Sequence, residues 1–168
     1  MTTLSMNMLA AMHARETGKI PVFLLRISHP LLNPDILLST DPTERLSVEP
    51  LVYGTTSRGE QYLYVGAKVT VPDDRDRAPP TSKITIMDIN QDLVPMTRGI
   101  RSPPPKVRIE LVLSDDPDTV EYSLPGLDMI NVEGTRESLT FECVLDLLLN
   151  EGYPAYSFNP AYFSGLFQ

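Results

Sequence analysis

The sequence predicts a mainly β protein, either a sandwich or a split β-barrel, with an N-terminal helix, one short internal helix and an extended aromatic C-terminal tail. Several short segments alternate apolar and polar residues, which is the spacing of half-buried strands. Turn residues separate these segments at intervals of about 8–12 residues. The 168 residues include 16 prolines, and proline disfavours long helices because it lacks an N–H.

The length fits one domain. Within it we expect an N-terminal helix in residues 1–18, a β domain in 19–150 and an extended segment in 151–168. The helix is predicted over residues 3–17, where four residues follow helical spacing: Met6, Leu9, Ala10 and His13. Thr2, Thr3 or Ser5 is a suitable N-cap and Gly18 a suitable end. The helix packs either on its own domain or on a neighbouring chain.

The strands are predicted from alternation and from the turn residues between them. In the first, Phe23, Leu25 and Ile27 share one face and Arg26 and Ser28 the other. The predicted strands cover residues 22–28, 36–39, 46–53, 61–71, 83–89, 107–113, 120–124, 127–132 and 138–143. Strands 46–53 and 61–71 form a hairpin around the polar loop 55–58, with Gly54 and Gly59 on either side. Residues 72–80 are predicted as an exposed loop, 91–97 as a short helical turn and 114–118 as a turn.

The chain is acidic, with a formal net charge of −8 and a pI of about 4.7. Such a surface repels phosphate, which argues against specific nucleic-acid binding. No apolar run approaches the roughly 20 residues of a membrane span, and the N-terminus shows no basic segment followed by an apolar one. We therefore expect no membrane span and synthesis in a cytoplasm.

Residues suited to catalysis are few, and we predict no enzymatic activity, no cofactor and no metal. The two histidines, His13 and His29, stand in unrelated settings, and the single cysteine, Cys143, lies in an apolar segment typical of a buried thiol. Three aspartates offer oxygen ligands for calcium: Asp115, Asp116 and Asp118. Since no EF-hand spacing accompanies them, a solvated turn is the more ordinary interpretation.

The C-terminal segment is the most distinctive part of the sequence. Of the twelve aromatic residues (7 Tyr and 5 Phe), six fall between residues 150 and 168. Such a segment either seals one end of its own barrel or lies across a neighbouring subunit, where its aromatic residues would mark an interaction site. The candidate protein–protein interface consists of Tyr153, Pro154, Tyr156, Phe158, Tyr162, Phe163, Leu166 and Phe167, together with Met6 and Leu9 of the helix.

Several short sequence motifs along the chain resemble those of a known protein family. The segments concerned are Ile27–Pro30, Ile84–Asn90, Pro105–Val107, Leu113–Glu121, Tyr153–Pro160 and Phe163–Phe167. Over about Val22 to Phe167 the chain resembles a family of minor tail proteins encoded in the tail modules of tailed bacteriophages and prophages. That resemblance implies a structural component of the virion, at the tail tip or baseplate, and supplies no catalytic residues.

The resemblance also implies partners. They are copies of the chain in a sixfold or threefold ring and other phage tail proteins, namely the tail tube, the tape measure and hub or fibre proteins. Within the tail tip, a ring adaptor or a hub component is the expected role. Two alternatives remain: a tail assembly factor that is absent from the virion, or a small metal-binding or hydrolase module of the tail.

Overall fold

The computed structural model of the protein describes residues 4–71, 81–87, 103–135 and 138–144. The predicted loop 72–80, the helical turn 91–97 and the C-terminal segment 151–168 lie outside these residues. The elements are α1 Met6–His13, β1 Pro21–Ser28, β2 Ile36–Ser39, β3 Glu44–Ser47, β4 Val52–Ser57, β5 Glu60–Tyr64, β6 Gly66–Thr70, β7 Thr81–Met87, β8 Lys106–Leu113, β9 Asp116–Gly134 and β10 Ser138–Val144.

The described strands form one ten-stranded sheet in the order β3-β4-β5-β2-β1-β8-β9-β10-β7-β6. Neighbouring strands are antiparallel, except that β2 and β5 run parallel. The sheet curls into a half-barrel, and the only helix among the described residues is the short N-terminal one. The mainly β prediction and the N-terminal helix are therefore confirmed.

Helix α1 is shorter than predicted. Ser5 is its N-cap, as expected, and its hydroxyl accepts a hydrogen bond from the Met8 N–H at 3.0 Å. The helix ends at His13, because Ala14 already has an extended backbone (φ −68°, ψ 138°), so the prediction that it continues to Gly18 is wrong. Short helices depend on packing, and Met8 is the one residue that α1 buries.

The central strands β1 and β8 are buried on both faces. They pair along their whole length, from Pro21 opposite Leu113 to Ser28 opposite Lys106. The predicted apolar face of β1 is confirmed, since Leu25 and Ile27 belong to the larger apolar cluster. The opposite face is buried as well, where Val22, Leu24 and Val112 form a second cluster with Tyr62. The curled sheet thus covers one face with β5 and the other with β7 and β10.

The predictions for residues 114–132, a turn followed by two strands, are wrong, because most of this region belongs to the single strand β9. The predicted strands 120–124 and 127–132 are one strand of 19 residues, Asp116–Gly134, and the turn shrinks to Ser114 and Asp115. Its pairing with β8 shifts register between Val107 and Ile109, and its pairing with β10 begins only at Asp128. Gly126 has φ +63°, which glycine tolerates without strain. A glycine bulge thus allows one strand to serve two parts of the sheet.

The region 44–70 also differs from the prediction. The predicted strand 46–53 is interrupted by a turn that contains Pro50, because proline lacks a ladder donor. The predicted loop 55–58 is mostly strand, and the hairpin turns at Arg58 and Gly59, with φ of 50° and 80°. Two positive φ values are those of the tight turn that matches strand twist. The predicted strand 61–71 divides at Val65 into β5 and β6, which lie in different parts of the sheet.

Other predicted strands agree with the structure to within a few residues. These are residues 22–28, 36–39, 83–89, 107–113 and 138–143, which correspond to β1, β2, β7, β8 and β10.

Candidate functional site: the exposed face of helix α1 and the polar face of the sheet

Of the predicted interface residues, Met6 and Leu9 lie within the described structure. The other eight, from Tyr153 to Phe167, lie outside it. The geometry below therefore concerns α1, the face of the sheet that carries Arg26, and the residues that the sequence offers for chemistry.

Polar contacts fasten α1 to the sheet. Both the backbone N–H and the hydroxyl of Ser5 donate to the carboxylate of Glu121 on β9, at 2.8 Å and 2.5 Å. Glu121 is buried, so these two donors satisfy a carboxylate that would otherwise be costly to bury. One residue therefore caps the helix and anchors it to the domain.

The segment after the helix is fastened to the turn between β8 and β9. The Lys19 ammonium lies 3.0 Å from an Asp115 carboxylate oxygen and also donates to the amide oxygen of Asn7. The hydrogen bond from Lys19 lowers the pKa of Asp115. Ile20 and Ser114 form two hydrogen bonds. The Ser114 N–H donates to the Ile20 carbonyl at 2.9 Å, and the Ile20 N–H donates to the Ser114 hydroxyl at 3.0 Å.

These contacts hold the apolar stripe of α1 away from the domain. Met6 is 82% exposed, Leu9 37% and Met12 63%, whereas Met8 is 9% exposed. The predicted helical face through Met6 and Leu9 therefore points to solvent.

A polar network crosses the face of the sheet that carries Arg26, opposite the face of Leu25 and Ile27. The Arg26 guanidinium on β1 lies between two carboxylates, those of Asp35 and Glu60, and Glu60 also accepts a hydrogen bond from the Tyr62 hydroxyl at 3.4 Å. Burial, with the nearby charge of Glu60, raises the pKa of Tyr62. Partial burial lowers the pKa of Arg26, but the hydrogen bond and charge of Glu60 outweigh it and leave the pKa raised.

The β4–β5 turn connects this network to β9. Arg58 forms an ion pair with the buried Glu110 on β8, and this hydrogen bond raises the pKa of Arg58. Its backbone N–H donates to Asp118 at 2.5 Å. The Ser57 hydroxyl donates to the Pro117 carbonyl at 2.7 Å. The tip of the hairpin is thereby fixed against the start of β9, which holds the curl of the sheet.

The other end of the Arg26-bearing face opens as a cleft of about 320 Å³. Its lining consists of Arg26, Ser28, Asp35, Lys106, Val107, Arg108 and Gly126. Sequence reasoning missed this cleft. Arg26 and Arg108 occupy polar positions of the two clearest strands, but only the pairing of β1 with β8 reveals that they are opposite each other.

The side chains of His29 and Cys143 are both buried. His29 is buried, accepts at Nδ1 from the Leu31 N–H at 3.0 Å and lies with Nε2 3.1 Å from the Pro103 carbonyl. Cys143 is fully buried in the larger cluster, and burial raises the pKa of its thiol to about 12. A thiol in that state is a poor nucleophile, since the thiolate is the reactive form. The prediction of a buried Cys143 is confirmed.

Two of the three aspartates considered as calcium ligands have partners, and these partners differ. Asp115 pairs with Lys19, and Asp118 accepts from the Arg58 N–H. Within residues 4–71, 81–87, 103–135 and 138–144, no three His, Cys, Asp or Glu side chains come together in a way that would hold a metal ion.

In the same ranges no helix is long and apolar enough to cross a membrane. In comparisons with protein-family models and with curated proteins, nothing matches this chain.

Proposed function

We propose that this chain is a non-catalytic structural protein of a bacteriophage tail tip or baseplate, where it acts as a ring adaptor or hub component between the tail tube and more distal tail proteins. It is made in the host cytoplasm and incorporated into the virion. Its partners are other copies of itself, in a sixfold or threefold ring, and the surrounding tail proteins. The phage part of the proposal is supported by the resemblance of residues 22–167 to the tail-protein family.

The structural part of the proposal rests on the outward apolar face of α1. A helix that served only its own domain would bury its most apolar stripe. Here the buried side chain is Met8, while Met6, Leu9 and Met12 are exposed and polar contacts hold the helix in place. Methionine adapts well to irregular partner surfaces. The arrangement suits a helix held ready for contact with another subunit.

The occupant in this proposal is the aromatic segment 151–168 of the next copy. That segment starts only a few residues beyond Val144, the last described residue of β10, and contains six aromatic side chains. Each aromatic side chain buries on the order of 150–250 Å². Its prolines reduce the entropy lost when the segment is ordered. One patch meeting a different patch on the next copy is a head-to-tail contact, which forms a ring where the rotation from copy to copy closes.

In this proposal the fold is a split β-barrel, and the half-barrel is one part of that barrel. The described sheet ends in two short strands, β3 and β6. Sheet edges are sites where further strands pair, and in an assembled ring the neighbouring subunits cover them.

Disrupting the outer face of α1 tests the proposal. The double variant Met6→Ser/Leu9→Ser keeps the Ser5–Glu121 anchor, and because both residues are exposed we expect its unfolding free energy to stay within about 0.5 kcal/mol of the wild type. A matched control is Leu31→Ser, which removes an equally exposed apolar side chain (78%) from a loop. Light scattering after size-exclusion chromatography measures the oligomer, and complementation of a gene-deleted phage measures infectious particles.

The expected result is a ring for the wild type and for Leu31→Ser, and a folded monomer that fails to complement for the double variant. Deletion of Tyr162–Gln168 should also leave a folded monomer that does not assemble. A truncated chain that loses its cooperative thermal transition would show instead that the segment belongs to its own core. A double variant that assembles and complements like the wild type would contradict the role of α1.

A further inference from the structure

The face of the sheet that carries Arg26 contains an unusual pair of like charges. Arg26 on β1 and Arg108 on β8 are directly opposite each other in the antiparallel register, and both line the cleft of about 320 Å³. Like charges in directly opposite positions destabilise a sheet. The pair is therefore a local cost that the fold of the sheet does not explain.

The charges around the pair are incompletely balanced. Arg26 has two carboxylate neighbours, Asp35 and Glu60. Arg108, which is exposed, has no carboxylate partner in the part of the chain that the structure describes. Lys106, the third cation of the lining, is paired with Asp128 at 2.8 Å. Among the cations that line the cleft, Arg108 is therefore the one whose charge has no carboxylate partner in the described residues.

One hydrogen-bond donor in the cleft is also unsatisfied. The Arg26 Nε atom is buried and lies 3.1 Å from an Asp35 oxygen, yet among the described residues no acceptor completes a hydrogen bond with it. A buried donor without a partner is costly. Because Nε itself is buried, an anion that enters the cleft from the side of Arg108 would be bound by the exposed Arg108 guanidinium, and its negative charge would offset the repulsion between the two guanidinium groups.

The shape of the cleft permits such an entry. Gly126 lies at its wall, and a Cβ atom at that position would meet no other atom within 4 Å. The volume is at the lower end of the range of about 300–1,000 Å³ found for small-molecule sites. A space of this size accommodates a carboxylate on a short side chain or a small dicarboxylic acid.

From this geometry we propose that the cleft between Arg26 and Arg108 is a binding site for a carboxylate. The planar guanidinium group binds carboxylates through two parallel hydrogen bonds, and Arg108 offers a full set of donors. The carboxylate comes either from an acidic side chain of a protein partner, which includes a second copy of this chain, or from a free dicarboxylic acid. This site goes beyond the proposed function, and its test does not require a virion.

Isothermal titration of the isolated protein tests the site with two probes, glutarate and a blocked tetraglutamate peptide. The variant is Arg108→Met, which keeps an unbranched apolar stem and removes the charge. The matched control is Arg45→Met, which makes the same change at an exposed position of β3 away from the cleft. Circular dichroism melting establishes that both variants fold.

The wild type and Arg45→Met are expected to bind at least one probe with one-to-one stoichiometry. For Arg108→Met the affinity should fall about tenfold or more, which is the size of one lost charged hydrogen bond. Preference for the peptide supports a protein side chain as the natural ligand, and preference for glutarate supports a small acid. The proposal is overturned if the wild type binds neither probe at millimolar concentration, or if Arg108→Met binds as tightly as Arg45→Met.

Discussion

Substituting Gly54 with alanine gives two opposite expectations, and the structure decides between them. Gly54 lies within β4 and its φ is not positive. On backbone grounds alone, Gly→Ala at such a position stabilises a protein by about 0.4–1 kcal/mol, because it restricts the unfolded chain.

Packing around Gly54 acts in the other direction. A Cβ atom at Gly54 would lie 2.0 Å from the Tyr62 carbonyl oxygen and 2.6 Å from the Leu46 Cδ1 atom. The first of these is a backbone atom of the paired strand β5, so it moves only if the β4–β5 ladder moves. Overpacking of this kind costs about 1–3 kcal/mol, and occasionally more. The contact at 2.0 Å places the packing cost near the upper end of that range, about 3 kcal/mol. Subtracting the stabilisation of up to about 1 kcal/mol from the unfolded chain leaves a net destabilisation of about 2 kcal/mol.

Urea denaturation followed by circular dichroism measures the change. Gly66→Ala is the matched control, because Gly66 also lies in a strand and its added Cβ would meet the nearest atoms, both of Met87, at an ordinary 3.8 Å. We expect Gly66→Ala to be neutral or slightly stabilising. A Gly54→Ala protein at least as stable as the wild type would refute the close approach of β4 and β5.

Three further predictions concern the anchor, the thiol and the aspartates. Ser5→Ala removes the cap of α1 and the hydroxyl donor to the buried Glu121, while the backbone N–H donor stays, and we expect a loss of about 1–3 kcal/mol; unchanged hydrogen-exchange protection of the Met8 amide would contradict this. Burial raises the pKa of the Cys143 thiol to about 12. The contribution of the thiol to stability is therefore complete below its unfolded pKa, and it is lost as the pH rises from the unfolded pKa toward about 12. Between about pH 8 and about pH 10 the wild type should lose about 1 kcal/mol more than Cys143→Ala, and an equal loss in both would refute the burial of the thiol. Calcium or magnesium should leave the melting temperature of the wild type unchanged, and a shift that disappears when the aspartates at 115, 116 and 118 become Asn would favour a metal-binding role instead.

Strand positions were predictable where one segment carried its own alternation. Strands β1 and β8 show it clearly, and their bounds agree with the sequence to within a residue. Prediction failed where the decisive fact was a partner elsewhere in the chain. The division at Val65 arises because its N–H donates to the Ser39 carbonyl and its side chain joins the larger cluster. Neither contact can be predicted from the alternation of apolar and polar residues around Val65.

The candidate sites show the same limit. The helical spacing of Met6 and Leu9 identified an apolar stripe, but it did not indicate which way that stripe points, because the Ser5–Glu121 contact determines it. The Arg26–Arg108 cleft depends on a strand pairing between distant segments. Local spacing therefore predicts elements and their faces, whereas long-range pairing determines which faces are left for partners.

Quantitative mass spectrometry of purified virions tests the central claim most directly. The phage or induced prophage that encodes this chain is purified, and the copy number of the chain is measured against a tail-tube protein of known stoichiometry. A structural tail-tip component should be present at a small fixed copy number that matches a threefold or sixfold ring. Absence of the chain from infectious particles, with abundant protein in the lysate, would contradict the claim and identify an assembly factor instead.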